Sequence, residues 1–116
     1  MANPTAHATG TQSATVTTEH FLTSPNVAGT FVLSVDLVNM AAGDFVTLRV
    51  YQMVLTGGTQ RVLYTGTFQG VQPTDDKIAK SLPVDNELTD TNSLRFSLTQ
   101  DLGTSRDFPW KVLKYT

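Results

Sequence analysis

The chain has 116 residues, a net charge of −2 from eight basic and ten acidic side chains, and no cysteine. This length fits one domain, and the lack of cysteine excludes disulfides, thiolate metal sites and a cysteine nucleophile. The basic residues are dispersed, which argues against a nucleic-acid-binding surface, and no segment approaches the ~20 apolar residues of a membrane-spanning helix.

The first twelve residues, 1–12, are small and mostly polar. Such a segment buries too little apolar area to offset its ordering entropy, so we predict a flexible N-terminal arm before a single domain over 13–116. The arm is either a frayed terminus or a segment that lies along a neighbouring subunit. In the second case Asn3, Pro4 and His7 are the expected contacts. Residues 1–18 lack the charged and apolar regions of a signal peptide, so we expect synthesis in the cytoplasm.

Three strands are predicted in succession, over 31–38, 45–55 and 61–68, and a shorter one over 14–21. The runs are rich in β-branched and aromatic residues and are separated by turn residues, with no helical periodicity between them. Alternation along the first run places one apolar set on one face. That set, which we predict for the core, is Phe31, Leu33, Val35 and Leu37.

The second and third of these strands form a predicted hairpin. Gly57 and Gly58 suit a two-residue loop, which places Tyr51 opposite Tyr64 and Thr47 opposite Phe68. Both faces of this hairpin are then apolar, and the sequence leaves open which face is the core. If the aromatic face is outermost, it forms a contact patch for a partner, and its predicted members are Tyr51, Met53, Tyr64 and Phe68.

The C-terminal half adds further strands. An edge strand is predicted within 77–84, where lysines and Pro83 disfavour pairing, and an exposed polar loop over 85–92. Clean alternation predicts a strand over 94–99, and a closing strand over 108–115 places Trp110 in the core. The result is an all-β, antiparallel β-sandwich of about seven to eight strands, for which a jelly roll is one possible winding.

No residue is assigned to catalysis, to a cofactor or to a metal, so we predict that the protein is not an enzyme. His7 and His20 have no partner motif and are interpreted as surface residues. The acidic residues do not match the spacing of a calcium loop and are interpreted as solvated. They are Asp75, Asp76, Asp85, Glu87 and Asp90.

Four segments, 31–37, 43–51, 94–98 and 108–112, give the chain a general likeness to a known class. In them it resembles the small jelly-roll decoration or cement proteins on the capsids of tailed bacteriophages. This resemblance implies a non-catalytic virion protein on the capsid surface that binds and stabilises the lattice of the major capsid protein. It further implies a dimer or trimer. The charge distribution and the lack of a long apolar segment predict no direct nucleic-acid or membrane partner.

Two other functions stay open. A head-completion or tail component of the phage would share the same composition. A carbohydrate-binding β-sandwich module is an alternative of another class, and it would expose Trp110, Tyr51 or Tyr64 in a shallow groove. A small hydrolase is a weaker option, because no residue of the chain is marked for the chemistry.

Overall fold

A computed structural model describes residues 4–74 and 77–115, and every regular element among them is a β-strand. No helix that could span a membrane occurs in these residues. The predicted all-β sandwich is confirmed. Its strands are β1 (Pro4–Ser13), β2 (Glu19–Thr23), β3 (Gly29–Asp36), β4 (Phe45–Met53), β5 (Gln60–Gln69), β6 (Ile78–Lys80), β7 (Val84–Asn86), β8 (Leu94–Leu102) and β9 (Asp107–Tyr115).

The strands form two antiparallel sheets. The first sheet has the order β1-β9-β3-β6, with β7 also pairing β3, and the second has the order β2-β8-β4-β5. If β6 and β7 are counted as one position, the chain folds as a long ribbon that pairs β1 with β9, β2 with β8, β3 with β6 and β7, and β4 with β5. This ribbon, wound so that β9 meets β3 and β8 meets β4, is a jelly roll.

The core lies between the inner faces of the two sheets. The four residues that alternation assigned to the core in and directly after β3 are at most 1% exposed, which confirms that part of the prediction. Opposite them, alternate residues of β4 and β8 are completely buried. These are Val46, Leu48 and Val50 of β4 and Leu94, Phe96 and Leu98 of β8. Trp110 packs against this core but is only half-buried.

The described part of the predicted arm is a strand. Pro4–Ser13 pairs along its length with β9, from Pro4 opposite Tyr115 to Ser13 opposite Asp107. Most of its side chains are exposed, so the ordering comes from the backbone ladder rather than from apolar burial. Side-chain composition therefore does not predict this strand. Residues 1–3, including Asn3, lie outside the described residues.

Two other predicted boundaries differ from the structure. Only the end of the short strand predicted over 14–21 is extended, because Thr15–Thr18 forms a turn before β2 begins at Glu19. The predicted edge strand is split into β6 and β7, with Pro83, which has no N–H to donate, between them. Asn86 of the predicted exposed loop is 3% exposed, and its amide donates to the Val27 carbonyl at 3.0 Å.

A buried ion pair closes one end of the sandwich. The Asp44 carboxylate, 1% exposed, accepts from the Arg106 guanidinium Nε and from the Ala41 N–H, both at 2.9 Å. Burial alone would raise the pKa of Asp44, but these two donors outweigh it and hold that pKa below its ordinary value of 3.8. Gly103 leaves room for the carboxylate, because a Cβ there would lie 1.9 Å from Asp44 Oδ1.

The same end of the sandwich is tied by backbone contacts to Gln100, which is fully buried. Its amide nitrogen donates to the Thr104 carbonyl at 2.6 Å, and its oxygen accepts the Arg106 N–H at 3.0 Å. The Arg106 carbonyl accepts the Ala14 N–H, and the Asp44 carbonyl accepts the Gly70 N–H. Four connections between strands are thus fastened at one place.

We expect Arg106→Gln to cost about 3 kcal/mol of unfolding free energy at neutral pH, because it leaves the Asp44 charge buried without its partner. Asp44→Asn should cost about 2 kcal/mol, since Arg106 is partly hydrated. Urea unfolding measures both. The exposed Arg61→Gln is the matched control and should stay within about 0.5 kcal/mol of wild type.

The ion pair of Asp44 and Arg106 also makes the unfolding free energy depend on pH in the acid range. Because the folded pKa of Asp44 is depressed, its contribution is present above pH 3.8, the ordinary value, and is lost as the pH falls through the lower folded pKa. Asp44→Asn should therefore flatten the decline of unfolding free energy in this acid range. An identical acid slope in wild type and Asp44→Asn would contradict the assignment.

Candidate protein-interaction surface

The β4–β5 hairpin does not have the predicted register. The turn is closed by the Gly58 N–H donating to the Leu55 carbonyl at 2.8 Å, so Thr56 and Gly57 are its central residues, and Gly57 has a φ of 72°. A positive φ at the third turn residue is typical of a type II turn and favours glycine. The turn is thus centred one residue earlier than the Gly57–Gly58 loop that the sequence predicted.

The pairing shifts accordingly. Thr47 lies opposite Thr67 rather than Phe68, and beyond an irregularity at Val50, Tyr51 lies opposite Val62 rather than Tyr64. Near the turn the partner moves by two residues, which keeps each side chain on its predicted face. The irregularity between Val50 and Tyr51 changes the shift to one residue, and a shift of one exchanges the faces of one strand relative to the other. The predicted register was therefore wrong.

The predicted aromatic patch is therefore divided between two faces. Tyr64 and Phe68 pair with Val50 and Val46 and pack, half-buried, against the core. Tyr51 and Met53 stand on the outer face of the second sheet, both partly exposed. The structure does not bring the four residues into one surface.

The predicted contacts in β1 are separate from that hairpin. Pro4 is exposed at the start of β1, opposite Tyr115. His7 is exposed at an irregularity of the strand, and its ring meets the edge of the Phe31 ring at a centroid distance of 5.3 Å. Whether either residue contacts a partner stays a prediction.

Tyr51 belongs to a polar cluster on the outer face of the second sheet. Its hydroxyl and that of Ser97 both donate to Glu19 Oε2, at 2.5 and 2.7 Å. Burial, and then the Glu19 carboxylate, raise the pKa of Tyr51. The centroid of the Phe21 ring lies 5.9 Å from that of the Tyr51 ring. The Arg95 guanidinium is stacked on the Phe21 ring, 3.4 Å from its centroid. This stacking is a cation–π contact that fixes the arginine over the sheet.

This cluster has the geometry of a structural network. Ser97 is completely buried, so its hydroxyl is not accessible as a nucleophile. One Glu19 oxygen already holds two donors, which ties β2 to β4 and β8. The arrangement can stabilise the sheet and present Phe21 and Arg95 on its surface.

Four exposed aliphatic residues lie at the end of the hairpin. Val54 and Leu55 are 75% and 73% exposed, and Val62 and Leu63 are 51% and 46% exposed. We call these four residues the hairpin-end patch. Val54 and Leu55 also line a shallow recess of about 280 Å³ with Gly58, Thr59 and Arg61.

The hairpin-end patch is held in place. The Gly57 N–H donates to the Asp90 carboxylate at 3.0 Å, and the Gln60 amide donates to the Asn92 carbonyl at 2.7 Å. Both contacts join the hairpin to the loop before β8. Sequence reasoning missed this patch because it extended β4 through Leu55 and assigned Val54 to a strand face. The available signal was two aliphatic residues directly before a glycine turn.

The histidines and acidic residues do not converge. Within 4–74 and 77–115 no three His, Asp or Glu side chains are placed to share a metal ion. His20 Nε2 accepts the Thr15 N–H at 3.0 Å, and Asp85 accepts the Thr30 hydroxyl at 2.6 Å. Asp75 and Asp76 lie outside the described residues.

Comparison of the chain with protein-family models, with curated proteins and with solved structures finds no match. The structure establishes the fold class, which is an antiparallel β-sandwich wound as a jelly roll. The surface features on which a function can be argued are the hairpin-end patch and the outer faces of the two sheets.

We expect Tyr51→Phe to lower the unfolding free energy by about 1 kcal/mol, because one hydrogen bond to Glu19 is lost. Tyr64→Phe is the matched control, since among the described residues the Tyr64 hydroxyl makes no hydrogen bond. Chemical denaturation measures both. Equal stabilities of the two variants would show that the Glu19 network does not stabilise the sheet.

Proposed function

We propose that this protein is a non-catalytic binding protein that docks on another protein through the hairpin-end patch. The observation that carries this is the combination of exposure and order at that patch. Val54 and Leu55 are about three-quarters exposed, yet the turn that presents them is fixed by hydrogen bonds to Asp90 and Asn92. Exposed aliphatic residues on a pre-ordered turn bind a partner with little loss of conformational entropy.

The partner we propose is the major capsid protein of a tailed bacteriophage, with this chain as a capsid decoration or cement protein. The jelly-roll fold supports this by analogy, because the fold is common among capsid proteins, although fold alone does not fix function. On a capsid, many copies each contribute a modest interface. A small patch of about four aliphatic side chains then suffices for stable decoration.

The test is cosedimentation of the purified chain with expanded capsid shells and, separately, with tails of the phage that encodes it. We expect saturable binding to shells. A Val54→Ser, Leu55→Ser double variant should bind about a hundredfold more weakly, since it removes roughly 3 kcal/mol of apolar burial. Val71→Ser, which changes a 63% exposed valine elsewhere, is the matched control and should bind like wild type.

Three outcomes would contradict the proposal. Binding to tails but not shells would favour a tail component. Undiminished binding of the double variant would remove the hairpin-end patch from the interface. No binding to either fraction would reject the virion role.

One observation favours carbohydrate binding as a second candidate. A shallow groove of about 250 Å³ crosses the outer face of the first sheet, and Trp110, Pro109 and Ile78 are among its lining residues. The part of Trp110 that stays accessible at this groove offers an apolar surface for a sugar ring. A glycan array distinguishes this candidate, because binding that is lost in Trp110→Ala would support it, and a blank array would reject it.

A further inference from the structure

The free edge of strand β1 is the feature that carries a further inference. β1 is ten residues long, is the outermost strand of the first sheet, and no other strand among the described residues pairs with its outer side. Such an edge presents unpaired backbone N–H and C=O groups to any extended chain. Native proteins usually protect edges with charges, proline, bulges or short strands.

The edges β2, β6 and β7 carry that protection. β2 has five residues, carries Glu19 and has an irregular register near Phe21. β6 and β7 have three residues each and are separated by Pro83. β1 has no Lys, Arg, Asp or Glu, and from Ala8 to Ser13 it pairs with β9 without irregularity.

The hydrogen-bond pattern shows which residues face outward. The Ala14 N–H donates to the Arg106 carbonyl at 2.9 Å, so these two residues form a hydrogen-bonded pair. The same register continues into β1 and β9, where Gly10 lies opposite Trp110. Because hydrogen-bonded and non-hydrogen-bonded pairs alternate in an antiparallel ladder, Thr9, Thr11 and Ser13 direct their backbone groups to the free edge.

Proline at position 109 agrees with this alternation. Pro109 lies opposite Thr11, in a pair that requires no N–H from β9 toward β1. On the other side of β9, the ladder to β3 ends at Trp110, the residue directly after this proline. The missing donor therefore ends the pairing with β3 and leaves the pairing with β1 intact.

We propose that β1 pairs with β1 of a second copy of this chain, antiparallel about a two-fold axis at Thr11. The outward residues Thr9, Thr11 and Ser13 are symmetric about Thr11, and the irregularity between Ala6 and Ala8 limits the ladder on the N-terminal side. Thr9 then lies opposite Ser13 of the second copy. Self-pairing brings no like charges together, and threonine pairs across strands are favourable.

The first sheet would become continuous across the two copies. Such a closed two-fold pair buries both β1 edges at once and leaves none of them to propagate. This inference does not depend on the proposed function, because the hairpin-end patch lies on the β4–β5 hairpin, whose strands pair in the other sheet.

The edge of β5 is the competing surface and supplies a matched control. β5 also has ten residues, and only Arg61 among them is charged. The Gly70 N–H donates to the Asp44 carbonyl, which makes them a hydrogen-bonded pair in the register of Thr47 and Thr67. By the same alternation Thr67 faces the free edge of β5, as Thr11 faces that of β1.

The test is the mass of the full chain in solution by light scattering over a range of concentrations. We expect wild type to approach twice the mass of one chain. Thr11→Pro removes the outward N–H and should give a monomer, whereas Thr67→Pro should remain a dimer. Thr11→Lys, which keeps the β1 backbone unchanged, should also give a monomer because it places two lysines across the axis.

Hydrogen exchange supplies the second readout. The amides of Thr9, Thr11 and Ser13 should exchange slowly in wild type and rapidly in Thr11→Lys, while circular dichroism shows that the variant is folded. A wild-type monomer at all concentrations would overturn the proposal. So would a dimer that survives Thr11→Lys, dissociates in Thr67→Pro, or leaves these three amides unprotected.

Discussion

The structure depends on strand β9, which lies between the N-terminal strand β1 and strand β3. Pairing at β9 brings Pro4 opposite Tyr115, so the first and last described strands meet in one sheet. Two residues on the inner face of β9, Phe108 and Val112, are completely buried in the core. Without this long-range pairing the first sheet has no centre, and the inner face of β3 has no neighbour on that side. Such non-local pairing is also typical of slow-folding β proteins.

The two ends of the sandwich differ in the side chains that they bury and expose. At one end, Asp44, Gln100 and Arg106 fasten four connections with charge-assisted and amide hydrogen bonds in a buried setting. At the other, the β4–β5 turn is held by Asp90 and Asn92 but leaves Val54 and Leu55 in solvent. Charged and amide groups thus lie inside at one end, while aliphatic groups lie outside at the other. This inversion of the usual distribution is the basis on which we propose the hairpin-end patch as a surface for a partner.

The edge of one sheet and the end of the β4–β5 hairpin offer two kinds of contact surface. The edge of β1 offers backbone groups and small side chains, which suit another strand. The hairpin-end patch offers aliphatic side chains, which suit a concave apolar site on another protein.

The sequence by itself determined the fold class, because alternation in β3, β4 and β8 and turn residues between them are local properties. It also determined the core residues of β3, since period-two alternation follows from the backbone of any strand. Turn position was not determined: both Thr56-Gly57 and Gly57-Gly58 are acceptable turn centres, and the observed one is supported by Asp90, distant in sequence. The irregularity between Val50 and Tyr51, where β5 has one extra residue, then turned Tyr64 and Phe68 inward and left the predicted patch divided.

Tertiary structure alone decided the order of the N-terminal segment and the location of the candidate surface. The composition of β1 predicts little burial, which is correct, but its order comes from hydrogen bonds to β9, and a backbone ladder has no signature in side-chain composition. The buried pair of Asp44 and Arg106 is likewise invisible in the sequence, because it joins two turns 62 residues apart. Local alternation fixes which residues can be inside a strand-built core, and only the packing of distant segments fixes which edges and turns remain outside it.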